Sequence, residues 1–138
     1  MKSSDLIVGD WVMSRRYIGP SRVFATYLNT SDERFAVTIA NEAEDGSTTA
    51  GHAMSELTPI PLTKEILEEN GFEYEDNVGY VYDDYETSNK VIVDIWDCTI
   101  KILHNYDIAF SRTYWRAVNV HELQHVLSVF EIEKDIVL

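Results

Sequence analysis

Basic residues are scarce in this chain and cysteine is nearly missing. Eleven lysines and arginines face twenty-four acidic residues, for a formal charge of −13 over 138 residues. Such a field repels phosphate backbones and anionic membrane surfaces, so direct DNA binding is disfavoured and a basic protein partner is favoured. The single cysteine, Cys98, excludes an internal disulfide framework. It fits a reducing compartment, where such a residue is most often a small buried hydrophobe. Long apolar runs are also lacking: none approaches the roughly 20 residues that cross a bilayer. The opening MKSSDLIVGD holds no apolar segment of the length a secretory signal needs, which leads to the expectation of a cytoplasmic protein with no membrane role. No Gly-rich phosphate loop, G-x-S-x-G elbow, Cys–His pairing, internal repeat or low-complexity linker is present.

What the chain does have is aromatic residues, eight Tyr, five Phe and three Trp, enough to require a packed core. The first sixty residues read as short strands. LIVGDWVM carries Gly9-Asp10 inside an apolar run, which predicts a bend or bulge; RVFATYL and RFAVTIA alternate, and AGHAM is a further short strand. LTPIPLTKEILEENGF predicts a hinge helix of about two turns, capped by Thr63 and stopped at Gly71, with Leu67 and Phe72 closing the stop. YVYDD, KVIVDIW and CTIKILHNY are strands, the first two joined by a YETSN hairpin. Asn119 caps a helix from about Val120 to Phe130, and the terminal IVL is read as an edge strand. The expected fold is α+β. An N-terminal small SH3-like β-barrel or bent sheet occupies residues 1–61; the hinge helix and a C-terminal antiparallel sheet packed by one helix occupy 62–138 of one chain.

His121-Glu122-Leu123-Gln124-His125 spells H-E-x-x-H, the helix pattern of zinc peptidases. Residues four apart share a helix face, so His121 and His125 are candidate zinc ligands and Glu122 a candidate general base. Helical periodicity puts Val120, Leu123, Val126, Leu127 and Phe130 on the apolar stripe, with both histidines outward. A catalytic zinc needs a third protein ligand. Glu131 is the remaining candidate, since the longer metzincin pattern finds Ser128 in place of its Gly and Glu131 in place of its last His. Around Cys98, WDCTI differs from the deformylase pattern E-G-C-L-S. The expectation is therefore no cofactor and no enzyme activity, with a zinc metallohydrolase as the alternative.

Between Glu65 and Asp97 lie eleven acidic residues and one lysine, Lys90, interleaved with tyrosines. Tyr74, Tyr80, Tyr82, Asp83, Asp84, Tyr85 and Glu86 are the candidate partner-binding residues. Rigid aromatic area beside carboxylates suits a basic surface, and such a segment can stand where phosphates would lie. Asp83, Asp84, Glu86 and Asn89 lack the D-x-D-x-D-G spacing of a calcium loop. Arg15, Arg16 and Arg22, and separately Arg112 and Arg116, make two small basic patches expected to form local ion pairs. His52 and His104 are isolated.

The segments LIVGDWV, LTPIPLTKEILEENGF and VNVHELQHVLSVFEIEKDIVL resemble a group of small uncharacterised accessory proteins of Bacteroidetes phages and conjugative elements, and the outline covers most of the chain. In that group the last helix looks like V-H-x-L-Q followed by an apolar stretch, so Glu122 and His125 are not defining. The resemblance implies an accessory protein of phage or mobile-element origin. Together with the charge it leads to an expected non-enzymatic inhibitor of host defence, such as an anti-CRISPR. It would bind a host nucleic-acid-processing complex as a nucleic-acid mimic, possible targets including an RNA-guided effector. A structural or assembly component, recognisable as a stable homo-oligomer, is a third reading; the sequence does not set the oligomeric state.

Overall fold

The structure, a computed structural model, describes residues 6–15, 19–29, 34–41, 48–53 and 56–138, with side chains described at 6–15, 19–23 and 56–138. Arg16, the His52 side chain and the expected loops around 30–33 and 42–47 lie outside the described residues. The chain divides into two compact units, Met1–Ile60 and Pro61–Leu138. Sixteen acidic and six basic residues fall in the second unit, so −10 of the −13 is carried there.

The first unit is a five-stranded antiparallel sheet: β1 Trp11–Ser14, β2 Pro20–Asn29, β3 Arg34–Asn41, β4 Thr48–Ala53 and β5 Leu57–Pro59. Strand order is β4-β3-β2-β1-β5, a meander whose last strand returns to pair with the first. That is the order of an SH3-like sheet, but β4 and β5 do not pair, so of the two expected forms the bent sheet stands and the closed barrel does not. The bend expected at Gly9-Asp10 is a turn before β1. Gly9 has φ of 95°, which favours glycine, and the buried Asp10 carboxylate accepts the Ile7 N–H at 2.8 Å. The β2 register shifts between Val23 and Ala25, a bulge that bends the longest strand. Leu6, Val12, Val23 and Leu57 form a buried cluster.

The second unit opens with α1, Lys64–Glu69, followed by β6 Glu73–Glu75, β7 Gly79–Asp84, β8 Asn89–Asp94, β9 Thr99–His104, β10 Asp107–Thr113 and α2 Val120–Val129. The sheet is a plain antiparallel meander, β10-β9-β8-β7-β6. Cross-strand register sets one face as the rows Tyr74–Tyr80–Val93–Ile100 and Tyr82–Val91–Ile102–Phe110. Val91, Val93, Ile100 and Ile102 are fully buried, each stabilising by roughly 1.5–3 kcal/mol. α2 contributes Val120, Leu123, Val126 and Leu127 to the core, and Phe130 meets Phe110 edge-on at 5.8 Å. Gly79 is required by close packing as well as by its φ of 123°, because a Cβ there would stand 2.8 Å from the Val93 carbonyl oxygen.

α1 matches its sequence signals in detail. The Thr63 hydroxyl accepts the Ile66 N–H at 3.2 Å, and Gly71 takes φ of 87°. The Phe72 and Gly71 N–H groups reach back to the carbonyls of Leu67 and Glu68, with Leu67 and Phe72 both buried. Three strands have no counterpart in the sequence reading: β5, β6 and β10. CTIKILHNY forms one strand, β9, as far as His104; its last two residues, Asn105 and Tyr106, reverse the chain with φ angles of 49° and 70° in a two-residue hairpin turn. The terminal IVL is not a strand of the sheet. The Asn70 side chain instead accepts the Val137 N–H at 2.8 Å and donates to the Val137 carbonyl at 2.9 Å, gripping the tail as a strand neighbour would. Among the described residues no helix is long and apolar enough to cross a membrane.

Candidate functional site

The H-E-x-x-H does lie on α2, and the rings of His121 and His125 stand together, centroids 5.6 Å apart and nearly perpendicular. Two other features depart from the zinc pattern. Glu122 accepts the Asn119 N–H through its carboxylate at 2.8 Å, closing the first turn of the helix. The carboxylate proposed as a base is thus bound as a cap. His121 is buried, at 5% exposure, whereas periodicity had turned it outward. Periodicity accounts for one neighbour of α2, the sheet. The start of the helix has a second, since Leu62 donates to Val118 and Pro61 bridges to Asn119.

Glu131 does not join the histidines as a third ligand. It is exposed, two residues past the end of α2, with φ of 56°. Its N–H goes to Ser128 and that of Ile132 to Leu127, the same terminal pattern that Gly71 makes in α1. Among the described residues no three His, Cys, Asp or Glu side chains converge. The described residues therefore do not supply the three-ligand catalytic zinc site that the alternative reading requires. His125 and Glu122 instead border a groove of about 180 Å³ with Phe110, Arg112, Tyr114, Val126, Val129 and Phe130. Burial pushes the Tyr114 phenol above its usual range; Arg112, stacked 4.9 Å over the ring, opposes this and Glu122 adds to it.

The seven candidate partner-binding residues are not one patch. Strand β7 runs through the sheet for roughly 17–20 Å, and the residues divide along it. Tyr80, 4% exposed, lies at one end with Tyr74 5.3 Å away. Tyr82 is half-buried in the middle, tilted against Phe72 at 5.4 Å and covered by the Lys134 ammonium at 5.6 Å. Asp83, Asp84, Tyr85 and Glu86 lie at the other end, where β7 turns into β8.

At that second end two hairpin tips stand side by side. Tyr85 in the β7–β8 loop is 88% exposed, and Tyr106 in the β9–β10 turn is 91% exposed. Between them lies a cleft of about 360 Å³ whose lining includes Asp83, Asp84, Lys90, Asn89 and Leu103. Its floor is tied by side chains. The Thr87 hydroxyl bonds Asp84, the buried Asn89 amide donates to Thr87 at 3.0 Å, and the Asn89 oxygen meets His104 Nδ1 at 3.0 Å. The Asn105 N–H reaches Ser88 across the tips at 3.3 Å. His104, isolated in sequence, is therefore a link between the two hairpins. Lys90 pairs with Asp83 at 3.8 Å, a surface pair worth at most about 1 kcal/mol.

Tyr106, Trp96 and Trp115 are exposed aromatic residues that sequence reasoning passed over. Tyr106 was hidden by the unread turn, and Trp96 by the assignment of IW to the end of a strand. Cys98 is half-buried and in a loop, with φ of 55° and its thiol donating to the Arg116 carbonyl at 3.4 Å, contrary to the expected buried hydrophobe. Of the four described arginines in the two basic patches, three also lie over rings: Arg22 over Trp11 at 4.5 Å, Arg112 over Tyr114, and Arg116 over Trp115 at 5.8 Å. No protein-family model, curated protein or solved structure matches the chain.

Proposed function

We propose that this protein is a non-enzymatic binding protein of phage or mobile-element origin that engages a basic surface of a host protein. The observation that carries the reading is the pair of hairpin tips. Tyr85 and Tyr106 project almost entirely into solvent on either side of an acid-edged cleft, from loops held by the Asp84–Thr87–Asn89–His104 chain of hydrogen bonds. Solvent-exposed tyrosines on a fixed backbone lose little conformational entropy on binding, and Asp83, Asp84 and Glu86 supply the opposite charge. The partner in this reading is a nucleic-acid-processing complex in the host cytoplasm, an RNA-guided effector among them. Carboxylates would occupy positions that phosphates take in its channel, as an anti-defence inhibitor requires. The cap role of Glu122 supports a non-enzymatic reading of α2.

The test is displacement. Anisotropy of a labelled DNA duplex is followed on a panel of purified RNA-guided nucleases as this protein is added. Loss of bound DNA is expected for at least one nuclease. The variant carrying Asp83→Asn, Asp84→Asn and Glu86→Gln should need at least about tenfold more protein for the same effect, with the difference shrinking at high salt. A panel in which no nuclease releases its DNA would sink the mimic reading.

A further inference from the structure

The other end of the second sheet carries a separate feature. Tyr74, Tyr80 and Trp96 form a three-ring cluster with centroids 5.3 to 6.2 Å apart; Trp96 stacks on Tyr80 and meets Tyr74 edge-on. Tyr80 is core, but Tyr74 is 50% exposed and Trp96 66% exposed above it. The Trp96 loop is fixed, since the Asp94 carboxylate accepts the N–H groups of both Trp96 and Asp97 at 3.0 Å. Two rings are thus held open to solvent on a rigid base.

Elsewhere in the second unit three rings lie under its own cations: Arg112 lies over Tyr114, Arg116 over Trp115 and Lys134 over Tyr82. Among the described residues no cation lies over Tyr74 or Trp96. The surroundings are nevertheless suited to one. Burial, foremost, and then Glu68 push the Tyr80 phenol above its usual range, with Lys64 opposing and Glu65 adding less than Lys64 removes. Asp97 is exposed beside Trp96.

We propose that Tyr74 and Trp96, backed by Tyr80 and with the exposed Asp97 beside Trp96, form a docking platform for an arginine side chain of a basic protein partner. A planar guanidinium can stack on an indole or phenol face while its edge donates to carboxylates; an ammonium is a strongly hydrated point charge and gains less. The inference rests on the reading of the protein as a receptor for a basic partner, and it adds a second contact, of stated chemistry, remote from the hairpin tips.

The experiment uses the whole chain, isotope-labelled for NMR, titrated with a capped decapeptide alternating arginine and glycine and with its lysine counterpart. Expected are shifts of the Trp96 Nε1–H and the Tyr74 amide, binding of the arginine peptide at least about threefold tighter than the lysine one, and loss of about fivefold or more in Trp96→Ala. Tyr74→Ala should weaken it similarly, while the hairpin-tip charge variant still shifts Trp96. Both rings are exposed, so folding of the variants is checked simply by their amide spectra. Equal binding of the two peptides, or unchanged binding in Trp96→Ala, overturns the platform. Shifts confined to residues 83–90 and 104–107 also overturn it but leave the receptor reading standing; no shifts anywhere overturn both.

Discussion

The two helices of the second unit end alike and begin differently. α1 stops at Gly71 and α2 at Glu131, each followed by a buried apolar residue, Phe72 or Ile132, whose N–H bonds back to the carbonyl of the buried Leu67 or Leu127. At their starts, α1 uses a threonine hydroxyl, whereas α2 draws on the carboxylate of Glu122. The same task of satisfying exposed backbone groups is met by residues that look structural in one helix and catalytic in the other. A five-residue motif therefore has to be judged by what its side chains already hold.

The comparison can be broken most severely at the shared apolar position. Leu67→Ala and Leu127→Ala each remove a side chain that is 1–2% exposed. Both should cost about 2–5 kcal/mol in urea unfolding. A loss below about 1 kcal/mol in either would mean that the two stops are not equivalent. Next come the left-handed positions. Gly71→Ala should cost about 1–2 kcal/mol from backbone strain alone, because a Cβ there meets nothing nearer than 3.9 Å. Glu131→Gly should do the reverse and raise stability by up to about 1 kcal/mol. If Glu131→Gly destabilises, its side chain holds something that the terminal pattern does not account for.

The helix starts sharpen the same contrast. Glu122→Ala should cost about 1 kcal/mol, while Glu122→Gln keeps an acceptor for the Asn119 N–H and should cost about half or less. A hydrolase would show the opposite signature, full stability and no activity in Glu122→Gln. The smallest effect is confined to alkaline solution. The folded-state pKa of Tyr114 lies above its ordinary value near 10. Its contribution is therefore complete below about pH 10 and lost as the pH rises through the higher folded value. Tyr114→Phe should flatten the fall in the urea midpoint above about pH 10; an unchanged slope would remove Tyr114 from the titration.

Elements with regular punctuation were legible before any coordinates: the Thr63 to Phe72 helix and its stop, the Asn119 start of α2, and the alternating cores of β8 and β9. The β9–β10 hairpin was not, because its turn places Asn105 and Tyr106 in left-handed conformations that sequence patterns associate with glycine. β6 was lost among charges, since Glu73 and Glu75 flank its single aromatic residue. The candidate site suffered from treating neighbours in sequence as neighbours in space. A strand carries residues away at about 3.3 Å per step, so the FEYEDNVGYVYDDYE stretch was bound to supply two ends of a sheet. Trp96 and Tyr106 reach those ends from the β8–β9 and β9–β10 connections.

The hold of Asn70 on Val137 has a use in measurement. A residue outside any helix or strand ordinarily exchanges its amide hydrogen with solvent almost as fast as a free peptide does. Here that hydrogen is bonded at 2.8 Å to a side chain that is itself 3% exposed. Its exchange rate would then follow the opening of the Pro61–Leu138 unit, giving a single reporter, outside the sheet and helices, of how often the acidic unit comes apart in solution.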